Sequence, residues 1–215
     1  MPLRLLLVRH GLSSFNKERR IQGRDDLSNL SEEGHEQARA LGRSLREVSF
    51  HAIYSSPLQR AVATTSSLLE AHAGQTPDAV FDDGLLEVDL EPWSGQTISD
   101  LMEGSAETYS IWKHRPMELE LQRRDGSTYK PLPELMDQAR GFISNLLKRH
   151  PVDGNDTVLV VAHNAILRCL MLVLLGEPDN GFRRLRVDNT SLSIFNLRPG
   201  DNGPQVQIEC LNSTT

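Results

Sequence analysis

Residues 5–11 read Leu5-Leu6-Leu7-Val8-Arg9-His10-Gly11. An apolar run without polar alternation predicts a strand that is buried on both faces, as in a parallel sheet. The run ends in a guanidinium, an imidazole and a glycine, and a glycine lets a ligand approach the backbone closely. Because ligands of open α/β sheets gather beyond the carboxyl ends of the strands, we expect Arg9 and His10 at a functional site.

Strand and helix patterns alternate along the rest of the chain. Ser31 is expected to cap a helix, since Glu32 and Glu33 follow in its first turn. Apolar segments predict strands at residues 52–55, 79–81, 157–162, 191–197 and 206–211, and helical periodicity predicts helices at about residues 31–45, 59–70, 135–147 and 165–175. Strands separated by helices imply a doubly wound α/β fold, with a mainly parallel sheet flanked by helices on both faces.

The length of 215 residues fits a single domain, and we assign residues 1–215 to it. Residues 103–130 are the least regular part of the sequence. We interpret them as an insertion within this domain that covers the site, and we call them the covering segment.

Composition restricts the class of protein. The net charge of −6 argues against general nucleic-acid binding, which needs a basic surface. Residues 1–8 lack the features of a secretory signal, and the apolar run at residues 169–175 is too short to cross a bilayer, so no membrane association is expected. Cys169 and Cys210 lack the spacing of metal or redox motifs. We therefore expect a cytoplasmic protein.

A second apolar strand, at residues 157–162, also ends at an imidazole, that of His163. Arg60 begins the helix that follows the strand at residues 52–55. In a doubly wound sheet these side chains can meet Arg9 and His10 in one crevice. Such a group of cations is electrostatically unfavourable without an anion, and arginine binds phosphate oxygens in pairs. A phosphate dianion is the simplest ligand for it.

Further motifs extend this pattern over nearly the whole chain. They are Leu7-Val8-Arg9-His10-Gly11, Asn16, Gln22-Gly23, Leu30-Ser31-Glu32-Glu33-Gly34, Tyr54-Ser55-Ser56-Pro57-Leu58-Gln59-Arg60-Ala61, Leu86-Glu87-Val88, Trp93-Ser94-Gly95 and Val161-Ala162-His163. In order and spacing, over residues 3–197, the chain resembles the histidine phosphatase superfamily, which implies a phosphoglycerate mutase-like fold. Residues 10–16 and 28–30 more closely resemble a plant and cyanobacterial branch that includes 2-carboxy-D-arabinitol-1-phosphate phosphatases.

The resemblance implies a role for each motif residue. His10 is similar to the nucleophile that accepts the phosphoryl group as phosphohistidine, and it must be neutral to attack. Neighbouring Arg9 and Arg60 would disfavour the imidazolium form. With His163, these arginines would clamp the phosphoryl oxygens. Further phosphate contacts are implied for Asn16, Gln22, Gly23 and Asn164.

Glu87 is similar to the family's proton donor, with Asp89 as the rival carboxyl group. A carboxyl group beside a phosphate dianion can hold the proton that a departing alkoxide needs, and it can then deprotonate the attacking water. No metal and no other cofactor is expected, because the arginines supply the positive charge. A metal site made of His10, His163 and Glu87 is disfavoured, since the guanidiniums would repel the cation.

Two stretches depart from the family pattern. Many members carry an acidic residue and a threonine where this chain has Leu12 and Ser13, and two glycines where it has Asn164 and Ala165. Ser13 is therefore a candidate for substrate specificity. In the covering segment, four cations could bind a substrate carboxylate or a second phosphate, with simple solvation as the alternative: Lys113, Arg115, Arg123 and Arg124.

The sequence thus predicts a metal-independent phosphomonoesterase for a small phosphorylated sugar or sugar acid, with 2-carboxy-D-arabinitol 1-phosphate as a candidate. The alternatives are a cofactor-dependent phosphoglycerate mutase and a non-catalytic sensor of phosphorylated ligands. A homodimer is left open. The other histidines are expected at ordinary surface or loop positions: His35, His51, His72, His114 and His150.

Overall fold

Strands and helices alternate along most of the chain. The computed structural model describes residues 2–201 and 203–214. In chain order its strands and α-helices are β1 (Leu3–Arg9), α1 (Ser14–Glu18), α2 (Glu32–Ser44), β2 (Ala52–Ser55), α3 (Gln59–Ala71), β3 (Ala79–Phe81), α4 (Ile98–Gly104), α5 (Ala106–His114), β4 (Leu121–Gln122), β5 (Thr128–Tyr129), α6 (Pro131–Arg149), β6 (Thr157–Ala162), α7 (Asn164–Leu175), β7 (Leu192–Arg198) and β8 (Gln205–Ser213). Short 3-10 helices occur at Asp83–Leu85, Glu91–Trp93, Pro116–Glu118 and Asp179–Arg184.

The main sheet has the strand order β3-β2-β6-β1-β7-β8. Strands β3, β2, β6 and β1 run parallel to one another. Strands β7 and β8 add to the β1 side in antiparallel orientation, which places β8 at an edge. The prediction of a doubly wound, mainly parallel sheet is confirmed.

The apolar run in β1 is buried because both faces of the sheet are covered. Leu5 and Leu7 belong to the core that contains residues of α6 and α7, whereas Leu6 and Val8 belong to the core on the α2 and α3 side. Successive side chains of a strand point to opposite faces. Two-sided burial therefore removes the polar alternation that a half-exposed strand would show.

Helix α2 begins as the sequence predicts. The backbone N–H of Gly34 donates to the Ser31 hydroxyl over 3.1 Å, and Glu32 and Glu33 occupy the first turn. Acidic side chains at this end interact favourably with the helix dipole. The predicted N-cap is confirmed.

The covering segment is more regular than predicted. It contains α5 and a small antiparallel pair, β4 with β5, and the preceding region contains α4. Helix α5 has no buried residue and α4 buries only Leu101, so neither has the apolar stripe by which helices are detected in a sequence. Helix α1 likewise has no buried residue, and its start depends on a capping box between Ser13 and Asn16.

Helix α6 is the longest helix in the described part of the chain, with 19 residues. It begins at Pro131, earlier than the apolar stripe indicates, since proline is well tolerated in the first turn of a helix. Its buried positions follow one face. Across residues 2–201 and 203–214, no helix combines the length and hydropathy needed to span a membrane.

The strand ends that carry the predicted site lie side by side. Arg9 pairs with Ala162 in register, and the backbone N–H of His10 donates to the Ala162 carbonyl over 2.9 Å. The N–H of Ser56, just beyond β2, donates to the Val161 carbonyl over 3.0 Å. Residues that follow β1, β2 and β6 therefore meet at one edge of the sheet, as sequence reasoning expects.

Helices α2 and α3 pack with backbones in close approach at Gly42. A Cβ atom at this position would lie 2.1 Å from the Leu68 carbonyl oxygen and 3.1 Å from the Ala71 Cβ. Gly141 of α6 offers the contrasting case, because it is exposed and its Cβ would meet no atom within 4 Å. The helical backbone is the same at both glycines, so only packing distinguishes them.

We expect Gly42→Ala to lower the free energy of unfolding by about 1–3 kcal/mol, because the methyl group forces α2 away from α3. Gly141→Ala, the matched control, should raise it by about 0.5–1 kcal/mol through helix propensity alone. Urea titration of both variants measures these changes. Equal stabilisation by the two substitutions would show that the α2–α3 contact tolerates a methyl group.

Candidate active site

His10 and His163 face each other at the carboxyl end of the sheet. Their ring centroids are 5.2 Å apart, and the ring planes are tilted by 56°. His10 is 2% exposed and His163 is 0% exposed. Since β1 and β6 are hydrogen-bonded neighbours that end in register, the two imidazoles meet although 153 positions separate them in the chain.

One ring nitrogen of His10 is fixed by the backbone. The Nδ1 atom lies 2.8 Å from the Gly11 carbonyl oxygen. A carbonyl oxygen can only accept, so Nδ1 carries the hydrogen in this arrangement and the Nε2 atom of the neutral ring keeps its lone pair. The nitrogen that could act as a nucleophile is therefore Nε2.

The loop after His10 is held from three sides. The Gly11 N–H donates to the Thr64 hydroxyl over 3.0 Å, and the Asn189 amide donates to the carbonyls of His10 and Gly11 over 3.0 and 3.1 Å. A Cβ atom at Gly11 would lie 2.5 Å from the Gly34 carbonyl oxygen, so helix α2 leaves no space for a side chain there. These contacts orient the His10 ring through its backbone.

His163 is oriented by a hydroxyl group. Its Nε2 atom lies 2.7 Å from the Ser56 Oγ atom. The Nδ1 atom is buried and has no hydrogen-bond partner within the described chain. Buried polar atoms are almost always paired in proteins, so an unpaired imidazole nitrogen at this place is suited to a ligand.

Backbone carbonyls, and not carboxylates, hold the two arginines of the site. Arg9 donates from Nη1 to the Val187 carbonyl over 2.8 Å. Arg60, only 1% exposed, donates to the carbonyls of Asp25 and Gly23 over 3.0 and 2.8 Å. The Nε atoms of both arginines are buried without a partner. Within the described residues, no carboxylate oxygen lies within 4.0 Å of either guanidinium, so their charge is available to an anion.

The positive charge and the burial keep both imidazoles neutral. Burial lowers the pKa of His10 well below 6.5, and Arg9 and Arg60 lower it further. The pKa of His163 is likewise lowered, by burial first and then by Arg60, His10 and Arg9. Burial also lowers the pKa of Arg9 to about 10, against the opposing effect of Glu87. A neutral His10 has the lone pair that a nucleophile requires.

Glu87 lies at the amino end of α7. Its Oε1 atom accepts from the backbone N–H groups of Val88, Ala165 and Ile166, over 2.9, 3.1 and 3.2 Å. Its Oε2 atom receives a single shared bond, from Ala165 over 3.2 Å. A helix amino end attracts a carboxylate, and this one is only 9% exposed. Oε2 is therefore the less engaged oxygen of the carboxylate.

The neutral side chains of the predicted site form one network. The Ser13 hydroxyl lies 3.0 Å from Gln22 Oε1 and from Asn16 Oδ1. The Asn189 amide also donates to Asn16 Oδ1, over 3.1 Å. Gly23 has a positive φ of 53° and uses its carbonyl to hold Arg60. Ser13 therefore positions Asn16 and Gln22.

Asn164 is the first residue of α7, and its side chain lies near that of Arg9. Its amide donates to the Val187 carbonyl over 2.8 Å, the same oxygen that accepts from Arg9. The sequence predicts that the Asn164 backbone lies near the amino end of a helix, and in the structure α7 begins at this residue.

Three of the four candidate cations of the covering segment form ion pairs with carboxylates, unlike Arg9 and Arg60. Arg115 pairs with Glu118 over 2.6 Å, and Arg124 pairs with Glu91 over 2.9 Å. Arg123 pairs with Glu134 over 2.7 Å, lies 3.9 Å from Asp89, and stacks on the Tyr129 ring. Lys113 is exposed in α5. The structure brings none of these four cations into contact with His10, so their role in specificity stays a prediction.

Sequence reasoning did not assign roles to three residues that orient the site: Ser56, Thr64 and Asn189. Ser56 belongs to a recognised motif, but only the adjacency of β2 and β6 shows that its hydroxyl contacts His163. Asn189 lies outside the helices and strands, where no periodicity marks it. These are tertiary contacts without a local signal.

His72 and His150 are more buried than expected, and His35 is also partly buried, with its Nδ1 atom 2.8 Å from the Ser67 hydroxyl. His72 is 8% exposed, and its Nε2 atom lies 2.9 Å from the Val48 carbonyl oxygen. His150 is partly buried between Asp156 and the Tyr54 hydroxyl. His72 and His150 lie beyond the ends of α3 and α6, whose packing buries them. In the described residues, no group of three or more His, Cys, Asp or Glu side chains is arranged to hold a metal ion.

Known proteins are similar to this chain over nearly its whole length. The model of the histidine phosphatase superfamily (branch 1) matches residues 5–209. Phosphoserine phosphatase 1 of Hydrogenobacter thermophilus is 32% identical over 200 residues, which are 93% of this chain and 89% of that protein. The 2-carboxy-D-arabinitol-1-phosphatase of Triticum aestivum is 33% identical over 213 residues, which are 98% of this chain but only 41% of the relative.

A solved structure agrees with these relatives. The alpha-ribazole phosphatase from Shigella flexneri superposes with a TM-score of 0.81 and 26% identity, covering 98% of this chain and 96% of that one. The resemblance inferred from the motifs is confirmed. The chain belongs to the histidine phosphatase superfamily (branch 1) and is a phosphatase.

Proposed function

We propose that the chain hydrolyses small phosphorylated sugars or sugar acids through a phosphohistidine on His10, without a metal ion. One observation carries this proposal. The Nε2 atom of a neutral, buried imidazole lies in a group with His163 and two guanidiniums that have no carboxylate partner in the described residues. This combination suits a nucleophile beside a phosphoryl group and has no evident structural purpose.

In the first step, the His10 Nε2 lone pair attacks phosphorus and the bond from phosphorus to the ester oxygen breaks. Arg9, Arg60 and His163 bind the equatorial oxygens, on which negative charge is spread during transfer. Glu87 gives its proton, held at Oε2, to the departing oxygen. The alcohol leaves, and the phosphoryl group remains on His10.

In the second step, water attacks the phosphohistidine. Glu87, now ionised, accepts a proton from the water as the new oxygen–phosphorus bond forms and the nitrogen–phosphorus bond breaks. Orthophosphate leaves, and both His10 and Glu87 return to their starting states. The guanidiniums supply the positive charge in each step, so the mechanism requires no metal.

The candidate substrate, 2-carboxy-D-arabinitol 1-phosphate, is supported by the likeness of the chain to the Triticum aestivum protein. Phosphoserine is a second candidate, because the Hydrogenobacter thermophilus relative matches over 89% of its own length. Both compounds are phosphate monoesters that also carry a carboxylate. Among small phosphorylated metabolites we therefore favour those that carry a carboxylate, as sugar acids do, over phosphorylated sugars that lack one.

His10→Ala should reduce kcat by at least about 10³, because covalent catalysis is lost together with its nucleophile. Phosphate release by purified full-length protein measures the change. His114→Ala, which removes an exposed imidazole from α5, is the matched control and should retain wild-type turnover. Near-normal turnover by a folded His10→Ala protein would refute the phosphohistidine mechanism.

Both site imidazoles should be neutral at pH 6.5 in the free protein, because burial and the adjacent arginines lower their pKa values below this point. As pH falls below 6.5, the unfolded chain takes up protons that the folded chain excludes, so the free energy of unfolding should decrease. Nitrogen NMR, with signals assigned by His10→Gln and His163→Gln, measures the titration. A protonated ring at pH 6.5 in the wild-type spectrum would contradict the expectation.

A phosphate-release screen should give the highest kcat/KM with carboxylated phosphate monoesters, since the site supplies cationic groups without carboxylate partners. The panel is 2-carboxy-D-arabinitol 1-phosphate, phosphoserine, 3-phosphoglycerate and simple sugar phosphates. Rapid isomerisation of 3-phosphoglycerate with a trace of 2,3-bisphosphoglycerate, without phosphate release, would favour a mutase instead. Tight binding without any turnover would favour a sensor.

A further inference from the structure

A third arginine near the phosphate site also lacks a carboxylate partner. Arg168 lies in α7, and its Nε atom is buried with no hydrogen-bond partner among the residues described. In the same residues, no carboxylate oxygen lies within 4.0 Å of its guanidinium. The side chain is nevertheless partly exposed, so a solute can reach it. An unpaired guanidinium in this setting is a candidate anion site.

Arg168 lies on the face of α7 that carries Asn164, which contacts the same carbonyl as Arg9. Residues four apart lie on the same face of a helix, so Arg168 shares a face with Asn164. The Asn164 amide shares the Val187 carbonyl with Arg9. Glu87 binds the first turn of the same helix.

Electrostatics agree with this location. Burial lowers the pKa of Arg168, and the Glu87 carboxylate opposes that effect. Arg168 in turn contributes to lowering the pKa of Arg9, after burial. The guanidinium of Arg168 therefore lies within electrostatic reach of Glu87 and Arg9, two residues of the phosphate site.

An aromatic contact fixes Arg168 beside the covering segment. Its guanidinium carbon lies 5.2 Å from the centre of the Phe182 ring, which is 1% exposed. Phe182 packs against Trp112 of α5, with ring centroids 6.0 Å apart. Cation–π stacking orients a guanidinium without neutralising its charge. The Nε atom of Arg168 has no hydrogen-bond partner in residues 2–201 and 203–214, so this donor is available to a ligand.

The arginines of the covering segment offer a contrast. Arg115, Arg123 and Arg124 each have a carboxylate partner, so their charges are already compensated. A substrate anion would compete with that partner at each of them, but not at Arg168. Unlike these three arginines, Arg168 offers a second substrate anion a guanidinium without a competing carboxylate among the described residues.

We propose that Arg168 binds the carboxylate of the substrate while Arg9, Arg60 and His163 hold its phosphoryl group. This inference rests on the proposed function, because it concerns the second anionic group of the same substrates. It makes Arg168 the residue that distinguishes phosphorylated acids from uncharged phosphorylated alcohols. A planar guanidinium can bind a carboxylate through two parallel hydrogen bonds.

The test compares phosphoserine with phosphoethanolamine, which differ by the carboxylate alone. In Arg168→Met, the ratio of their kcat/KM values should fall by about 10- to 100-fold, mainly through the KM of phosphoserine. Arg168→Lys should recover part of this ratio, because it keeps a cation without the paired donors. Arg184→Met, which removes an exposed arginine two positions after Phe182, is the matched control and should leave the ratio unchanged.

Equal losses on the two substrates would assign Arg168 a structural role and overturn the inference. A wild-type protein that hydrolyses the two equally would also overturn it, while the proposed phosphatase reaction would stand. If neither substrate is hydrolysed, calorimetric binding of 3-phosphoglycerate and glycerol 3-phosphate decides the matter. A wild-type preference for 3-phosphoglycerate that Arg168→Met abolishes would support the inference even if the proposed function failed.

Discussion

The arrangement of the site depends on guanidiniums that are bound by backbone carbonyls. Burying an arginine is costly unless its donors are satisfied, and a carboxylate would satisfy them at the expense of the net charge. Here the carbonyls of Gly23, Asp25 and Val187 accept instead. The hydrogen bonds offset part of the desolvation cost while the positive charge remains. This residual charge, together with burial, keeps His10 neutral and favours a dianionic ligand.

Backbone dipoles also orient the two groups with different chemical roles, the nucleophile His10 and the proton carrier Glu87. His10 is turned by a carbonyl, that of Gly11, so that Nε2 is left as the basic nitrogen. Glu87 is held by N–H groups at the amino end of α7, with one carboxylate oxygen much less engaged than the other. Backbone groups are rigid compared with long side chains. A nucleophile and a proton carrier oriented in this way lose little geometry when a substrate binds.

Charge compensation differs between the active site and the covering segment. In the segment, arginines and carboxylates pair at the surface, where such pairs add little stability but leave few unpaired charges. Near the phosphate site, Arg9, Arg60 and Arg168 have no such partner in the described residues. The number of cations in the sequence does not show which of them have a carboxylate partner. Arg123 of the covering segment, for example, pairs with Glu134, which lies outside the segment in α6.

The sequence by itself determined that the sheet is mainly parallel, that helices cover both of its faces, and that His10 and His163 meet at one edge of it. Apolar runs and the residues at their ends are local signals, and parallel strands bring those ends together. Helices α1, α4 and α5 could not be found in this way, because each has at most one fully buried residue and so leaves no periodic stripe.

Only the tertiary structure decided the orientation of the site. The contacts of Ser56 with His163, of Asn189 with the loop after His10, and of Phe182 with Arg168 join residues that are distant in the chain. The physical reason is that hydrogen-bond and ring contacts depend on how helices and strands pack, and no local sequence pattern indicates which residues will be partners. The sequence gives the type of each side chain, whereas the fold decides which neighbours satisfy its hydrogen bonds and neutralise its charge.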